Sequence, residues 1–149
     1  MSDVEWPLPV TFHFSVKLGV SEIAFSEVSG LDTTVKTKDV RSGGDNSTVY
    51  HLPEKISYSD LVLKRALVTK EDPFFKWCNQ NMDSIQAGFT VSPQQIEVTM
   101  LDCENAPLAS WNFEGAYPFK WSYNHLNSMK SEVMIETISL KYWKMKREK

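Results

Sequence analysis

A side-chain period of two runs through most of this chain and limits what it can fold into. Phe12 and Phe14 alternate with polar neighbours, and the same alternation returns in residues 96–101 and 132–143. Successive side chains of a strand point to opposite faces of a sheet, so this period is typical of strands with one buried face. Many such strands joined by short turns predict a mainly β fold, either a β-sandwich or a barrel.

One segment instead has the spacing of a helix, and it follows Thr69-Lys70-Glu71. Asp72 can cap its N-terminus, and Pro73 at the first helical position loses no hydrogen bond there. Apolar residues then recur at intervals of three and four, and Gly88 closes the segment. The apolar stripe consists of Phe74, Trp77, Cys78, Met82 and Ile85. We expect this helix to flank the β fold and to cover one face of a sheet.

A long hairpin with a mobile tip is predicted over residues 33–52. Residues 33–40 mix lysines and threonines with valines, which indicates a strand that is exposed on one face or covered by another chain. Residues 42–47 combine Gly, Ser, Asp and Asn, the composition of a flexible loop. Residues 48–52 resume an extended pattern, so the two strands and the loop form one hairpin.

Length and composition favour an ordinary globular domain covering residues 1–149. Hydrophobic residues make up 42% and charged residues 23%, which excludes wholesale disorder and a coiled coil. The net charge of −3 provides no basic field, so a nucleic-acid partner is disfavoured. The acidic N-terminus has no pattern of a signal peptide and no apolar run reaches bilayer length, so we expect synthesis in the cytoplasm and no membrane partner.

No motif for catalysis, a cofactor or a metal ion is recognisable. The three histidines, His13, His51 and His125, stand alone without a second ligand at metal-binding spacing. Asp102 and Glu104 are close enough to suggest a hydrolase pair, but a solvated turn before Pro107 explains them better. We therefore expect no enzyme, no cofactor and no metal site.

The two cysteines are expected to be buried free thiols, not a disulfide. Cys78 lies on the apolar stripe of the helix, where its thiol would be desolvated and inert; the other cysteine is Cys103.

The aromatic residues, which make up 12% of the chain, leave a second class of function open, that of a ligand-binding module. Trp111, Trp121 and Tyr123 could form the platform of a small β-sandwich that binds a carbohydrate or another ligand. Strand alternation also explains them as core or interface residues. The C-terminal tail is basic, and it is either solvated or in contact with nucleic acid or an acidic partner surface. Its cations are Lys141, Lys144, Lys146, Arg147 and Lys149.

Several short stretches, in order along nearly the whole chain, resemble the phage tail-tube family shared with contractile injection systems. Each is weak alone, and the ordered set carries the resemblance. Many members have glycine where this chain has Ala66, after the Lys-Arg pair. The stretches are residues 12–14, 25–31, 41–44, 52–53, 58–65, 75–77, 116–121, 126–129 and 136–142.

The resemblance implies a non-enzymatic subunit of an inner tube. Six copies would form a ring, rings would stack around a lumen, and partners would be adjacent rings, the baseplate hub or spike, and the sheath. Residues 117–121, 126–129 and 142–144 look more like tube-initiator variants than like the bulk tube, which stays the alternative. The expected assembly contacts are Arg41, Gly43, Gly44, Lys64, Arg65, Tyr117, Pro118, Trp121, Tyr142 and Trp143.

Overall fold

The computed structural model describes residues 12–41, 43–44, 47–68, 70–124 and 134–149. This part consists mainly of strands and contains one α-helix, so the predicted mainly β fold with one helix is confirmed. The elements are β1 (His13–Leu18), β2 (Ser21–Phe25), β3 (Glu27–Ser29), β4 (Thr33–Arg41), β5 (Val49–Tyr58), β6 (Leu61–Ala66), α1 (Pro73–Gln86), β7 (Gln94–Leu101), β8 (Pro107–Tyr123), β9 (Ile135–Lys141) and β10 (Lys144–Arg147).

The first sheet has the strand order β2-β1-β7-β8-β10, and every neighbouring pair is antiparallel. Its two faces differ because the side chains alternate. Val16, Ile23, Val98 and Phe113 are buried on the core face. The opposite face is polar and is not covered by another described element, as expected for an antiparallel sheet with one solvated side.

The second sheet has the order β8-β9-β6-β3, so β8 belongs to both sheets. Its first half pairs with β7 and β10 and its second half with β9. Gly115, which has a φ of 68°, lies where the strand passes from one sheet to the other. The sequence pattern predicts two separate extended segments here, a strand at 108–113 and another segment at 117–121 that contains Pro118. That division is wrong, because one strand spans Pro107–Tyr123.

A second corner joins the two sheets between β2 and β3. Only Ser26 separates these strands, and its backbone N–H donates to the carbonyl oxygen of Lys64 at 2.9 Å. The chain therefore changes sheets twice around one core. That core contains Phe25, Leu61, Leu63, Ile96 and Ile138, all buried.

Helix α1 begins and packs as predicted, with one exception. Asp72 is the N-cap, and its carboxylate accepts a hydrogen bond from the N–H of Phe75 at 3.0 Å. Phe74, Trp77 and Cys78 are buried, but Ile85 is 48% exposed, so its place on the buried stripe was predicted wrongly.

Asn81 is buried on α1 in addition to the predicted stripe. Its amide donates to the Trp77 carbonyl oxygen at 2.9 Å, and its side-chain oxygen accepts from the N–H of Ser92 at 2.7 Å. An amide satisfied in this way can occupy the core, and it ties the segment after the helix to the helix.

The C-terminal strand is shorter than predicted. The expected strand ran from 132 to 143, but β9 ends at Lys141 and β10 begins at Lys144. Tyr142 and Trp143 form the break between them. Residues 132–133, His125 and the stretch 126–129 lie outside the described residues.

Candidate assembly surfaces

The predicted hairpin is confirmed as a two-stranded sheet of its own. Strand β4 pairs with β5 from Thr33↔Tyr58 to Arg41↔Val49, with a register shift after Lys36. Every residue of β4 is exposed, and in β5 only Ser57 and Tyr58 are half-buried. The second strand runs to Tyr58, six residues beyond the predicted end at 52. Since the hairpin has no core of its own, little within the subunit stabilises it.

Both faces of the hairpin expose apolar side chains. Val35 and Ile56 are cross-strand partners on one face, 50% and 55% exposed. Val40, Tyr50 and Leu52 share the other face and are also exposed. Apolar side chains on two sides of one arm are typical of a surface that another chain covers.

The tip of the hairpin contains three of the predicted assembly residues. Arg41 is exposed at the end of β4. A Cβ at Gly43 would meet nothing within 4 Å, and the same holds for Gly44, whose φ is 88°. Gly44 therefore has a backbone conformation that residues with a side chain adopt only at a cost in free energy. Gly43 carries no such requirement.

The root of the hairpin is fixed to the C-terminal segment. The Tyr142 hydroxyl donates to the Ser59 carbonyl oxygen at 2.7 Å, and the Tyr142 ring lies 5.6 Å from that of Tyr58. Lys141 Nζ lies 3.0 Å from Asp60 Oδ1. Tyr142 therefore anchors the point where the arm leaves the sandwich, and any role in contact with another subunit stays a prediction.

Arg65 lies inside the subunit and is only 3% exposed. Its Nη2 is 2.9 Å from Asp72 Oδ2 and 3.6 Å from Glu136 Oε1. The guanidinium also lies 4.8 Å from the ring centroid of Phe25. So little surface remains that the structure gives Arg65 a role within the fold, and a direct contact with a neighbouring subunit stays a prediction.

Glu136 completes this buried charge cluster and was missed in the sequence. It is fully buried and lies opposite Arg65 in the β6–β9 register. Its Oε1 also accepts a hydrogen bond from Trp121 Nε1 at 2.9 Å. A signal was available: Arg65 has the strand parity of buried Leu61 and Leu63, as Glu136 has that of Ile138. Opposite charges at the core positions of two strands indicate a buried ion pair.

The remaining predicted assembly residues divide between surface and core. Lys64 is half-buried, and its Nζ lies 4.0 Å from Glu27 Oε2. Tyr117 and Trp121 are half-buried and Pro118 is buried. The centroid of the Trp121 ring lies 4.9 Å from that of Phe75 on the helix, so this ring contributes to packing within the subunit.

Trp143 is 64% exposed and is the largest aromatic side chain in the break between β9 and β10. Its indole lies on Gly115, where an added Cβ would come within 2.1 Å of the ring. Because Gly115 has no side chain, the Trp143 indole can pack directly on its backbone, and most of the indole stays exposed. Of the predicted aromatic contacts, Trp143 offers the most exposed ring.

Local structural partners are present for three of the side chains considered for chemistry: His13, His51 and Asp102. His13 Nε2 lies 2.7 Å from Asn105 Oδ1, and His51 Nδ1 lies 2.7 Å from Asp39 Oδ1. Asp102 Oδ1 accepts hydrogen bonds from the N–H groups of Glu104 and Ala106, as the turn interpretation predicts. Among the described residues, no cluster of three or more His, Cys, Asp and Glu side chains could hold a metal ion.

The two cysteines differ in environment and are both free thiols. Cys78 is buried, and its pKa is raised by burial and, secondly, by the negative charge of Glu136. The thiol is therefore protonated and unreactive at neutral pH. Cys103 is exposed, so the prediction that it is buried is wrong.

The aromatic platform required by the ligand-binding alternative is not assembled. Trp111 and Trp121 lie in different halves of β8, and Trp111 packs beside Arg147 while Trp121 contacts Tyr123. A groove of about 720 Å³ lies on the polar face of the first sheet, lined by residues that include His13, Glu22 and Glu97 but none of these three aromatics. In the part of the chain that is described, no helix has the length and apolarity to cross a membrane.

The fold of two antiparallel sheets joined at two corners, with one flanking helix and a projecting hairpin, is similar to several solved structures. A chain in the anti-feeding prophage baseplate aligns over 99% of this chain and 97% of its own, with TM-score 0.77 and 23% identity. A chain in the tube-terminating cap of that prophage gives TM-score 0.80, 22% identity and coverages of 99% and 95%. At these identities the likeness concerns the fold.

A third similar structure is a chain in the extended sheath–tube complex of the extracellular contractile injection system PVC, with TM-score 0.78, 24% identity and coverages of 97% and 93%. The family model of the T4-like virus tail tube protein gp19 matches residues 10–146. The chain belongs to this tail-tube family, which confirms the resemblance found in the sequence. No curated protein matches the chain significantly.

Proposed function

We propose that this protein is a subunit of the inner tube of a phage-tail-like contractile injection system. Six copies form a ring, and rings stack around a lumen inside a particle whose subunits are made in the bacterial cytoplasm. Family membership over residues 10–146 supports a structural role in a tube and gives no support for catalysis.

The observation that carries the proposal is the exposed hairpin β4–β5. It projects as a separate sheet with apolar residues on both faces, and its root is fixed by Tyr142. A rigidly rooted arm whose own contacts are few is suited to contact with a neighbouring ring. The ordering cost of the arm would then be offset on assembly.

Within the tube we place this chain at the first ring, between the baseplate hub or spike and the repeating tube. The exposed Trp143 supports this place, because an initiator must present one surface that bulk rings do not need. Bulk inner-tube subunit is the alternative. The similar structures leave that choice open, since the baseplate, sheath–tube and cap chains have TM-scores of 0.77, 0.78 and 0.80.

The test is negative-stain electron microscopy of the purified protein, with mass photometry over a range of concentrations. Rings of six copies with a central hole are expected. Single rings that do not polymerise favour the initiator, and long tubes favour the bulk subunit. A monomer at every concentration, and also when co-expressed with baseplate proteins, overturns the proposal.

Substitution at the hairpin tip tests the stacking role of the arm. Gly43→Trp adds bulk where a Cβ meets no neighbour and where no positive φ is required. We expect the variant to fold and to form rings but to lose contacts between rings. Unchanged stacking by Gly43→Trp, and by the double variant with Gly44→Trp, would remove the tip from the interface.

A further inference from the structure

The first sheet ends in two edge strands, β2 and β10. Within the residues described, the ladder partner of β2 is β1 and that of β10 is β8. Each strand therefore presents a second edge of backbone N–H and C=O groups. Such edges are templates for pairing with another chain. Their lengths differ by one residue, with 5 residues in β2 and 4 in β10.

The two edge strands run in the same direction. From β2 to β1, β7, β8 and β10 there are four antiparallel steps, and an even number of reversals restores the direction. If the sheet continued from one copy into the next with the same face outward, β10 would lie parallel to β2 of the neighbour. Parallel strands can pair in this way through evenly spaced hydrogen bonds.

A row of charged side chains crosses the polar face of this sheet from edge to edge. The registers place Glu22 opposite Lys17, Lys17 opposite Glu97, Glu97 opposite Asn112, and Asn112 opposite Lys146. Acid and base alternate along the row, apart from the neutral Asn112. The row begins with an acid on β2 and ends with a base on β10, so a second copy would continue the alternation.

We propose that β10 of one copy pairs with β2 of the next copy in the same ring, with Lys146 beside Glu22. This inference rests on the ring of the proposed function and identifies its seam, the contact between β10 of one copy and β2 of the next. The two strands are different surfaces of the subunit, so the contact is heterologous, and repeated heterologous contacts close into a ring when the rotation permits. Opposite charges across the seam fix partner and register.

Charge also disfavours the competing two-fold pairings. Joining β10 to β10 would bring Lys144 and Lys146 against the same residues of the other copy. Joining β2 to β2 would bring Glu22 close to its own equivalent. Like charges on adjacent strands are destabilising. The edges therefore select a neighbour that presents the other edge, which is the arrangement a ring requires.

Charge reversal with complementation tests the seam. Glu22→Lys and Lys146→Glu each place like charges across every seam, so each variant alone should lose most of its ring fraction in native mass spectrometry. Mixed in equal amounts, they should recover rings, because every alternating contact again joins opposite charges. The recovered rings should contain the two variants in equal numbers. Lys76→Glu, with the same charge change on the exposed face of α1, should retain the wild-type ring fraction.

The folding of each variant is checked by circular dichroism, since Glu22→Lys also brings a lysine opposite Lys17. Lys146 lies opposite the neutral Asn112, so Lys146→Glu carries the test if the other variant misfolds. Disulfide trapping gives a second measurement: Glu22→Cys with Lys146→Cys, in a Cys103→Ser background, should yield a covalent ladder up to the closed ring. Either cysteine alone should give no ladder beyond a dimer.

The outcomes separate the seam from the function on which it rests. Wild-type rings together with intact rings of Lys146→Glu and no ladder would overturn the seam and leave the tube proposal standing. Absence of rings in the wild type under all conditions would overturn both. Loss in the single variants with recovery on mixing would establish the seam.

Discussion

The β4–β5 hairpin and the Arg65–Glu136 cluster are opposite in what they expose: the hairpin exposes apolar side chains, and the cluster buries charged ones. In the hairpin, apolar Val35 and Ile56 face solvent, whereas in the cluster a cation and a carboxylate are buried together. The charges of the cluster are paired within one subunit, although Glu136 Oε2 and the Arg65 guanidinium nitrogens have no hydrogen-bond partner among the described residues. The apolar side chains of the hairpin remain on the surface of the subunit, where the proposed function would have another copy cover them. Substitutions in the two regions should accordingly change different measured quantities.

The largest effect on stability is expected from Glu136→Ala. Removing this carboxylate leaves the buried Arg65 with Asp72 as its remaining counter-charge and frees the Trp121 N–H. Loss of one partner of a buried pair costs about 3 kcal/mol, at the lower end of the usual range because Asp72 remains. Urea denaturation measures the free energy of unfolding.

Two further variants sharpen this result. Glu54→Ala, in the exposed hairpin, should change the unfolding free energy by less than about 0.5 kcal/mol. The double variant Arg65→Met with Glu136→Leu replaces the ion pair by apolar groups and should recover much of the loss. If Glu136→Ala lowers the free energy of unfolding by no more than Glu54→Ala does, the buried ion pair contributes no more to stability than an exposed residue of the hairpin.

A smaller loss is expected from Gly115→Ala at the corner of β8. Its φ of 68° is unfavourable for alanine, and the new Cβ would press on the Trp143 indole. The backbone strain costs about 1–2 kcal/mol. Gly43→Ala is the matched control and should be nearly neutral. If Trp143→Ala removes part of the Gly115→Ala cost in a double-mutant cycle, the steric contact with the ring is real.

Tyr142→Phe should cost about 1 kcal/mol, because it removes the hydrogen bond to Ser59 at the root of the hairpin. Burial, followed by the influence of Tyr58, raises the pKa of Tyr142 to about 12. This contribution is complete below pH 10, where folded and unfolded states both retain the proton. It is lost as pH rises from about 10 to 12, because the unfolded state releases the proton first. The variant should show a shallower alkaline loss of stability, measured by thermal unfolding against pH; an identical slope would contradict the anchoring role.

The smallest effect on stability, with a large effect on assembly, is expected from Ile56→Asp. The side chain is 55% exposed, so the unfolding free energy should change by less than about 0.5 kcal/mol. Contacts between rings, observed by electron microscopy, should be lost. Ile85→Asp is the matched control, because Ile85 is 48% exposed on α1 outside the hairpin. Equal loss of stacking in both variants would show that the hairpin has no specific role in the contacts between rings.

Local patterns in the sequence were sufficient for much of the fold. Asp72 and Pro73 mark the start of the helix because capping depends on neighbouring residues alone. Alternation likewise placed Ile96 and Val98 on the core face. The prediction for Ile85 was wrong because helical spacing shows which face of the helix is apolar, but not how far along the helix that face is covered.

The interior charge cluster and the shared strand depended on long-range pairing. Arg65 and Glu136 meet because β6 lies beside β9, and the sequence does not specify which strands are neighbours. The continuity of β8 was missed because Gly115 and Pro118 suggest a break, whereas here they bend the strand between two sheets. For the candidate contacts, the tip of the hairpin could be located from composition, but the burial of Arg65 required the tertiary structure.

Strand β8 gives the sandwich a mechanical property. Two sheets held together only by side-chain packing could slide past each other under an axial load. Here a single run of peptide bonds passes through both sheets, and the β2–Ser26–β3 segment repeats the connection at the other corner. Shear between the layers must therefore break ladder hydrogen bonds of β8 with its neighbours before it can separate them. A subunit tied in this way would transmit a push along its length as one body.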